Sequence, residues 1–264
     1  MLRVGARTAY GHRMGDVDAD WLRQLPVRRV ERSPYAALRP DAWPLTIPAV
    51  AQVMRDGLDL GTATVLVGDN GTGKSTLVEA IAMAYGLNAE GGSTGARHRT
   101  HDTESGLWDD LRLVRGAGSS KWGYFVRAET MHGLLMYLDT TRRESPGSRD
   151  PEFHVRSHGE SFVTLLSTGR FAGDGLFVWD EPEAGLSFPA QLHLVAELAQ
   201  MMARPRTQVL LATHSPILAA LPGATVLELS ESGIAPVEWR DLEVVDHYRR
   251  FLEAPERYLR HVID

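Results

Sequence analysis

Residues 68–76 read GDNGTGKST, and within them Gly68, Gly73, Lys74 and Ser75 fit the pattern G-x-x-x-x-G-K-[ST]. Glycines in such a run let the backbone curl until its N–H groups wrap an anion. Lys74 then sets a cation against the outer phosphates of a nucleotide, and Ser75 offers its hydroxyl to magnesium. The whole run of Asp69, Asn70, Gly71, Thr72, Gly73, Lys74, Ser75 and Thr76 is the expected phosphate cradle. A glycine-rich turn with a capping serine and a solvated lysine would share these letters. The context favours the cradle: the apolar, β-branched TATVLV precedes it, and a helix with Leu77, Ile81 and Ala84 follows.

Two further strand ends carry chemistry of the same kind. GLFVWDEPE is an apolar run that delivers Asp180 and Glu181 at its C-terminal end, where a phosphate-loop sheet opens its ligand crevice. Asp180 is placed to hold magnesium, and Glu181 to polarise the water that attacks a γ-phosphate. In LLATHSP, His214 follows a third apolar run, within reach of the γ-phosphate as a hydrogen-bond donor. Lys74, Glu181 and His214 are therefore the expected catalytic groups, and Ser75 and Asp180 the metal-holding ones. Glu129, at the end of KWGYFVRAE, either makes a water-mediated magnesium contact or is an acid favoured by a helix N-terminus.

The elements that must position these groups alternate between strand and helix. A helix over 131–138, another from about Glu160, the strand GLFVWD, a helix over 189–203, the strand TQVLLATHS and a short helix at Pro216 imply a mainly parallel sheet covered on both faces. LWDDLRLVR and KWGYFVRAE, on either side of GAGSS, read as a hairpin, VRRVE near Val27 as an edge strand, and TVLELSESGIAPVEW as a second hairpin before a charged helix at 244–253. The Gly-, Ser-, Arg- and His-rich segment 88–101 reads as a loop.

Composition narrows the field. With 264 residues, 43% of them hydrophobic, the chain can bury a sizeable core. No cysteine is present, so thiol redox, disulfide and thiolate-metal chemistry are excluded. No run approaches the ~20 apolar residues of a membrane span, and the first residues lack a signal-peptide core, so a cytoplasmic location is expected. A net charge of −6 gives no global basic field for nucleic acid. RHRTH (97–101), Arg142 and Arg143 could touch a nucleic-acid backbone or simply be loop arginines. His98, His101, Asp102, His154 and His158 have spacings a metal could use, without convincing further ligands.

In their order, GDNGTGKST, FVWDEPEAGLS and ATHSP resemble the phosphate loop, the acidic strand with its following D-loop, and the switch histidine of ABC-type ATPases, in particular the compact soluble branch near the SMC and RecF-like proteins. The likeness runs from Val65 to the C-terminus, including SHGES, PGATVLELSESGI and PERYLRH, and leaves the first sixty residues unexplained. It implies an α/β fold of ABC-ATPase type: a mainly parallel central sheet flanked by helices, an antiparallel β subdomain and a short helical signature region. The implied organisation is one domain, with an N-terminal part at 1–60, a nucleotide-binding core at 61–90 and 172–240, a helical and signature region at 91–171, and C-terminal helices at 241–264.

The resemblance further lays the family signature, LSGGQ, on Ser157, His158, Gly159 and Glu160, with Ser157 and Gly159 contacting the γ-phosphate held by an opposite subunit. The competing reading makes Ser157 an ordinary helix cap. If the signature acts across chains, ATP with Mg2+ drives a head-to-tail homodimer, with Ala184 to Ser187 at its seam. An aromatic upstream of the phosphate loop, Tyr35 or Trp43, would stack on adenine or belong to the core. The implied activity is hydrolysis of ATP to ADP and phosphate. The alternative is a slow-turnover switch that recruits DNA or a protein effector, as in repair or phage defence. A guanine-reading N-K-x-D is absent, which disfavours a GTPase, and the stretch between Ser75 and Ser157 lacks the sustained heptads of long coiled-coil arms.

Overall fold

A computed structural model describes residues 24–39, 41–94, 105–144, 151–153, 158–260 and 262–263. The N-terminal part contributes β1 (Arg29–Arg32), α1 (Pro48–Asp56) and β2 (Leu58–Asp59). The core opens with β3 (Ala63–Gly68) and α2 (Lys74–Tyr85), followed by β4 (Gly92–Ser93), β5 (Leu111–Val114) and β6 (Gly123–Arg127). The helices α3 (Met131–Glu144) and α4 (His158–Leu166) lead into β7 (Gly175–Asp180), α5 (Phe188–Met202) and β8 (Thr207–Thr213). The chain then forms β9 (Thr225–Ser230), β10 (Gly233–Pro236), α6 (Glu243–Glu253) and α7 (Pro255–Leu259).

Among the described residues the main sheet has the order β10-β9-β3-β8-β7-β6-β4, and the pairs from β9 through β6 are all parallel. This is the mixed α/β architecture expected from the alternating pattern. Its strands are apolar on both faces because both faces are covered: β7 and β8 are buried along their whole length. On one side α2 presents Leu77, Val78 and Ile81 to Leu66, Val178 and Leu210; on the other, Phe162, Leu194 and Leu198 pack on Phe177, Trp179 and Leu211. Each such fully buried side chain contributes about 1.5–3 kcal/mol.

A second sheet of order β2-β1-β5 is antiparallel throughout. It corrects two sequence expectations. The strand near Val27 is central in this sheet rather than at an edge. The expected hairpin across GAGSS does not form, because β5 pairs with β1 while β6 joins the main sheet beside β7. The burial patterns give the reason: β5 hides one end only, whereas Gly123 to Val126 are buried on both faces and belong in a covered sheet. In the N-terminal part, Val50, Val53 and Met54 of α1 share a core with Leu66, Leu77 and Ile81.

Candidate functional site

Because β3, β7, β8 and β6 run parallel, their C-terminal ends reach one edge of the sheet. The register places Arg127 beside Asp180, Asp180 beside Ala212 and Leu66 beside Ala212, so the next residues of each strand line a single crevice. After β3 the chain turns through Gly68–Gly73 into α2. Gly73 has φ +96, a left-handed conformation that a side chain resists, and a Cβ there would lie 2.8 Å from Ile47 Cγ2. At Gly68 a Cβ would meet the backbone carbonyl of Leu229 in the paired strand β9 at 2.3 Å, so only glycine fits. Gly68, Asp69, Asn70, Gly71 and Thr72 line a cleft of about 540 Å³ that His214 also borders. Pro48, Glu231 and Glu243 line it as well. Neither aromatic candidate for stacking takes part in that wall: Tyr35 is 91% exposed and Trp43 58%.

Lys74 is almost wholly buried, and its Nζ donates to the carbonyls of Gly68 (2.8 Å) and Asp69 (2.9 Å). Burial pushes its ammonium below the ordinary value, against the opposing pull of Glu181, Asp180, Asp69 and Glu183. The Asp69 carbonyl also accepts from Thr72 Oγ1 at 2.8 Å, which closes the loop on itself. Ser75 and Thr76 stand half-buried in the first turn of α2.

Asp180 ends β7 with 3% exposure. Burial raises its carboxyl to about 6. The Arg127 charge and a hydrogen bond from Ser75 oppose the rise, and the charges of Glu181 and Glu79 add to it. Oδ2 lies 3.3 Å from Arg127 Nε, whereas Oδ1 is buried without a hydrogen-bond partner among the described residues. An orphaned carboxylate oxygen beside a serine hydroxyl at a phosphate loop is a donor set that a hard divalent cation fits. Among the described residues no group of three or more His, Cys, Asp or Glu could hold a metal ion, and such a cation would need further ligands from outside the protein.

Arg127 was not singled out by the sequence reading. Its Nη1 donates to Glu79 at 2.5 Å, one helical turn beyond Ser75, and its Nη2 lies 3.3 Å from Glu129. Glu129 itself points outward, its side chain 78% exposed. The signal was available: an arginine ending the apolar run GYFVR is as anomalous as the aspartate ending GLFVWD.

Glu181 adopts φ +50, the only non-glycine residue with positive φ among those described. Its N–H donates to the Ala212 carbonyl at 2.9 Å, and its Oε1 lies 3.0 Å from His214 Nε2. The two side chains therefore meet across neighbouring strand ends. Glu183, also missed from sequence, accepts from the His214 and Ser215 N–H groups. Ser187 caps α5, its Oγ accepting from the Ala190 N–H. Ser157 lies outside the described residues, as do His98, His101, Asp102 and His154. Gly159 opens α4 beside the Gly185 carbonyl, 3.7 Å from where a Cβ would stand, and Glu160 is exposed. Arg142 is paired with Glu152 at 2.5 Å.

A parallel sheet that brings a glycine-rich loop, a buried lysine and a carboxylate pair to one edge defines a phosphate-loop nucleotide-binding protein. The chain is 30% identical over 258 residues to the aliphatic sulfonates import ATP-binding protein SsuB 2 of Mesorhizobium japonicum, covering 91% of this chain and 93% of the relative. It belongs to the family of ABC-type P-loop ATPases. Residues 161–220 also match the family model described as "AAA domain, putative AbiEii toxin, Type IV TA system". Among solved structures, the SMC head domain of Thermotoga maritima is 16% identical, over 81% of this chain and 99% of that one, with a TM-score of 0.44. For cbiO1 of Clostridium perfringens, part of the ABC transporter complex cbiONQ, the figures are 15%, 78%, 90% and 0.39. Among the described residues no helix is long and apolar enough to cross a membrane.

Proposed function

We propose that the protein hydrolyses ATP to ADP and phosphate, with Mg2+, at a site that a second copy of the chain completes. The observation that carries this reading is the meeting of Glu181 and His214, 3.0 Å apart on adjacent strand ends beside the phosphate loop. Glycine amides and Lys74 bind the phosphates, and Ser75 and Asp180 are the residues that would hold Mg2+, which when bound would supply positive charge against the phosphates. Glu181 orients water and accepts its proton, while His214, 3.0 Å from that carboxylate, stands ready to donate to the γ-phosphate. Glu129, its side chain 78% exposed and paired with Arg127 at 3.3 Å, fits an outward-facing acid better than a water-mediated contact to the cation.

The second copy enters because the first turn of α4 and the loop after β7 share one surface. Gly159 lies beside Gly185, both Ala184 and Gly185 are exposed, and Phe188 and Leu192 of α5 stand out with 62% and 49% exposure. An N-terminal helical turn offers amides to an anion, and exposed apolar side chains around it favour association with a like surface.

Phosphate release from Mg·ATP is the direct test. Lys74→Ala is expected to abolish both nucleotide binding and release. A wild-type protein that binds Mg·ATP tightly and releases no phosphate would reduce the protein to a switch. Magnesium binding also carries a pH signature. The Asp180 carboxyl is raised to about 6, so below that pH it holds a proton that the cation must displace. Mg2+ affinity in the presence of nucleotide is therefore expected to fall by about tenfold per pH unit as pH drops below 6, with about one proton released per cation bound. Calorimetry at pH 5 in two buffers of different ionisation enthalpy measures that proton.

A further inference from the structure

The loop after β7 carries a third carboxylate that the proposed chemistry leaves unassigned. Glu183 turns back toward β8 instead of toward the phosphate loop. Its Oε1 accepts from the N–H of His214 at 2.6 Å and from that of Ser215 at 3.2 Å, while its Oε2 is buried with no hydrogen-bond partner among the described residues. Strand β8 ends at Thr213, so the N–H of His214 lies past the last ladder position. A carboxylate satisfies it with a short, charge-assisted bond.

A second tie runs parallel to the first. Gln191 of α5 donates from Nε2 to the Leu186 carbonyl at 3.1 Å and accepts from Ser215 Oγ at 2.6 Å. The loop itself is tight, with the Ala184 N–H donating to the Glu181 carbonyl and the Leu186 N–H to that of Glu183. The loop bearing Glu181 and the turn bearing His214 are thus one joined unit. The His214 backbone is the part Glu183 grips, and the ring it carries meets Glu181.

We propose that Glu183 is a positioning residue for ATP hydrolysis: by gripping the His214 and Ser215 amides from the loop that bears Glu181, it sets the histidine ring against that carboxylate and the γ-phosphate. This rests on the hydrolytic reading above. Among the described residues Glu183 makes no hydrogen bond or ion pair to the phosphate loop and reaches Lys74 only as one of several charges through space, so its effect is read chiefly in turnover.

The experiment measures Mg·ATP affinity and kcat for wild type, Glu183→Ala, Glu183→Gln, His214→Ala and the Glu183→Ala/His214→Ala double variant, all folded by circular dichroism. Glu183→Ala is expected to bind Mg·ATP within about twofold of wild type and to lose about 10- to 100-fold in kcat, the usual range for a group that orients an active-site ligand. Glu183→Gln, which keeps an acceptor oxygen, recovers most of that loss. In the His214→Ala background the alanine at 183 costs nothing further, because residues acting as a unit are not additive. If alanine unfolds the chain, Glu183→Asp, which keeps the charge and shortens its reach, carries the same comparison with and without His214. A kcat that stays within twofold of wild type, or falls by the same factor whether or not His214 is present, overturns the proposal while leaving hydrolysis intact. A wild type without turnover overturns both readings together.

Discussion

Replacing Glu181 by glutamine lowers phosphate release from Mg·ATP by about 10²- to 10⁴-fold, the range for removing a positioned general base, and leaves nucleotide affinity nearly unchanged. The substitution is close to isosteric. The strained φ of +50 is held by the backbone bond from the residue 181 N–H to the Ala212 carbonyl, which survives the change. The carboxamide still accepts from His214 Nε2 through its oxygen. It can no longer take a proton from water, so the loss falls on kcat. Steady-state phosphate release and equilibrium nucleotide binding, measured on the same preparation, separate the two. A slow wild type whose Glu181→Gln form turns over at the same rate would favour the switch reading, in which ATP acts by being bound.

Removing the Arg127 guanidinium destabilises the nucleotide-free protein by about 3–5 kcal/mol at pH 7, the cost of leaving buried charges without their partner. The Arg127 side chain is only 16% exposed. It serves Glu79 at 2.5 Å and Asp180 at 3.3 Å, whose side chains are 10% and 4% exposed. Arg127→Met preserves the aliphatic stem and withdraws the charge. Two buried carboxylates that already repel each other then lose the cation between them. The sign of the pH dependence follows from burial. Asp180 already titrates near 6 with Arg127 present, and losing that cation raises it further. Below pH 6 the folded state can carry the carboxyl neutral, so the deficit shrinks on acidification and grows as pH rises through 6 toward the variant's own, higher value. Denaturant unfolding of wild type and Arg127→Met at pH 5 and pH 7.5 measures this, and Glu79→Gln in the variant background is expected to return part of the loss.

The strands of this protein were legible wherever burial on both faces wrote an unbroken apolar run. ATVLV, GLFVWD and TQVLLAT are each bounded by the residues that carry chemistry, so sequence reading found both the sheet and its reactive edge together. Which strands pair could not be inferred in the same way. LRLV and GYFVR looked like neighbours across a glycine turn, yet they belong to different sheets, a choice made by distant strands β1 and β7. Helix α1 escaped notice because Ile47 precedes it with no capping side chain and Pro48 opens it, signals that read equally as loop.

Within the site, Lys74, Ser75, Asp180, Glu181 and His214 were legible because each sits at a fixed offset from an apolar run. Arg127 and Glu183 were not, since what they touch is set by the fold. Glu79 lies 48 positions from Arg127, and the amide of His214 lies 31 from Glu183. The sequence marked these residues only as charges out of place, at the end of a buried strand and three residues past Asp180.

The reading of a site shared between two copies is tested most directly by light scattering of Glu181→Gln protein, which is expected to bind ATP while barely consuming it. The mass is expected to double with Mg·ATP, to stay that of one chain with Mg·ADP or without nucleotide, and to stay single in every condition when Ser157→Arg is added. A Glu181→Gln protein that binds Mg·ATP yet keeps the mass of one chain, or that doubles regardless of nucleotide and of residue 157, would contradict a nucleotide-driven composite site.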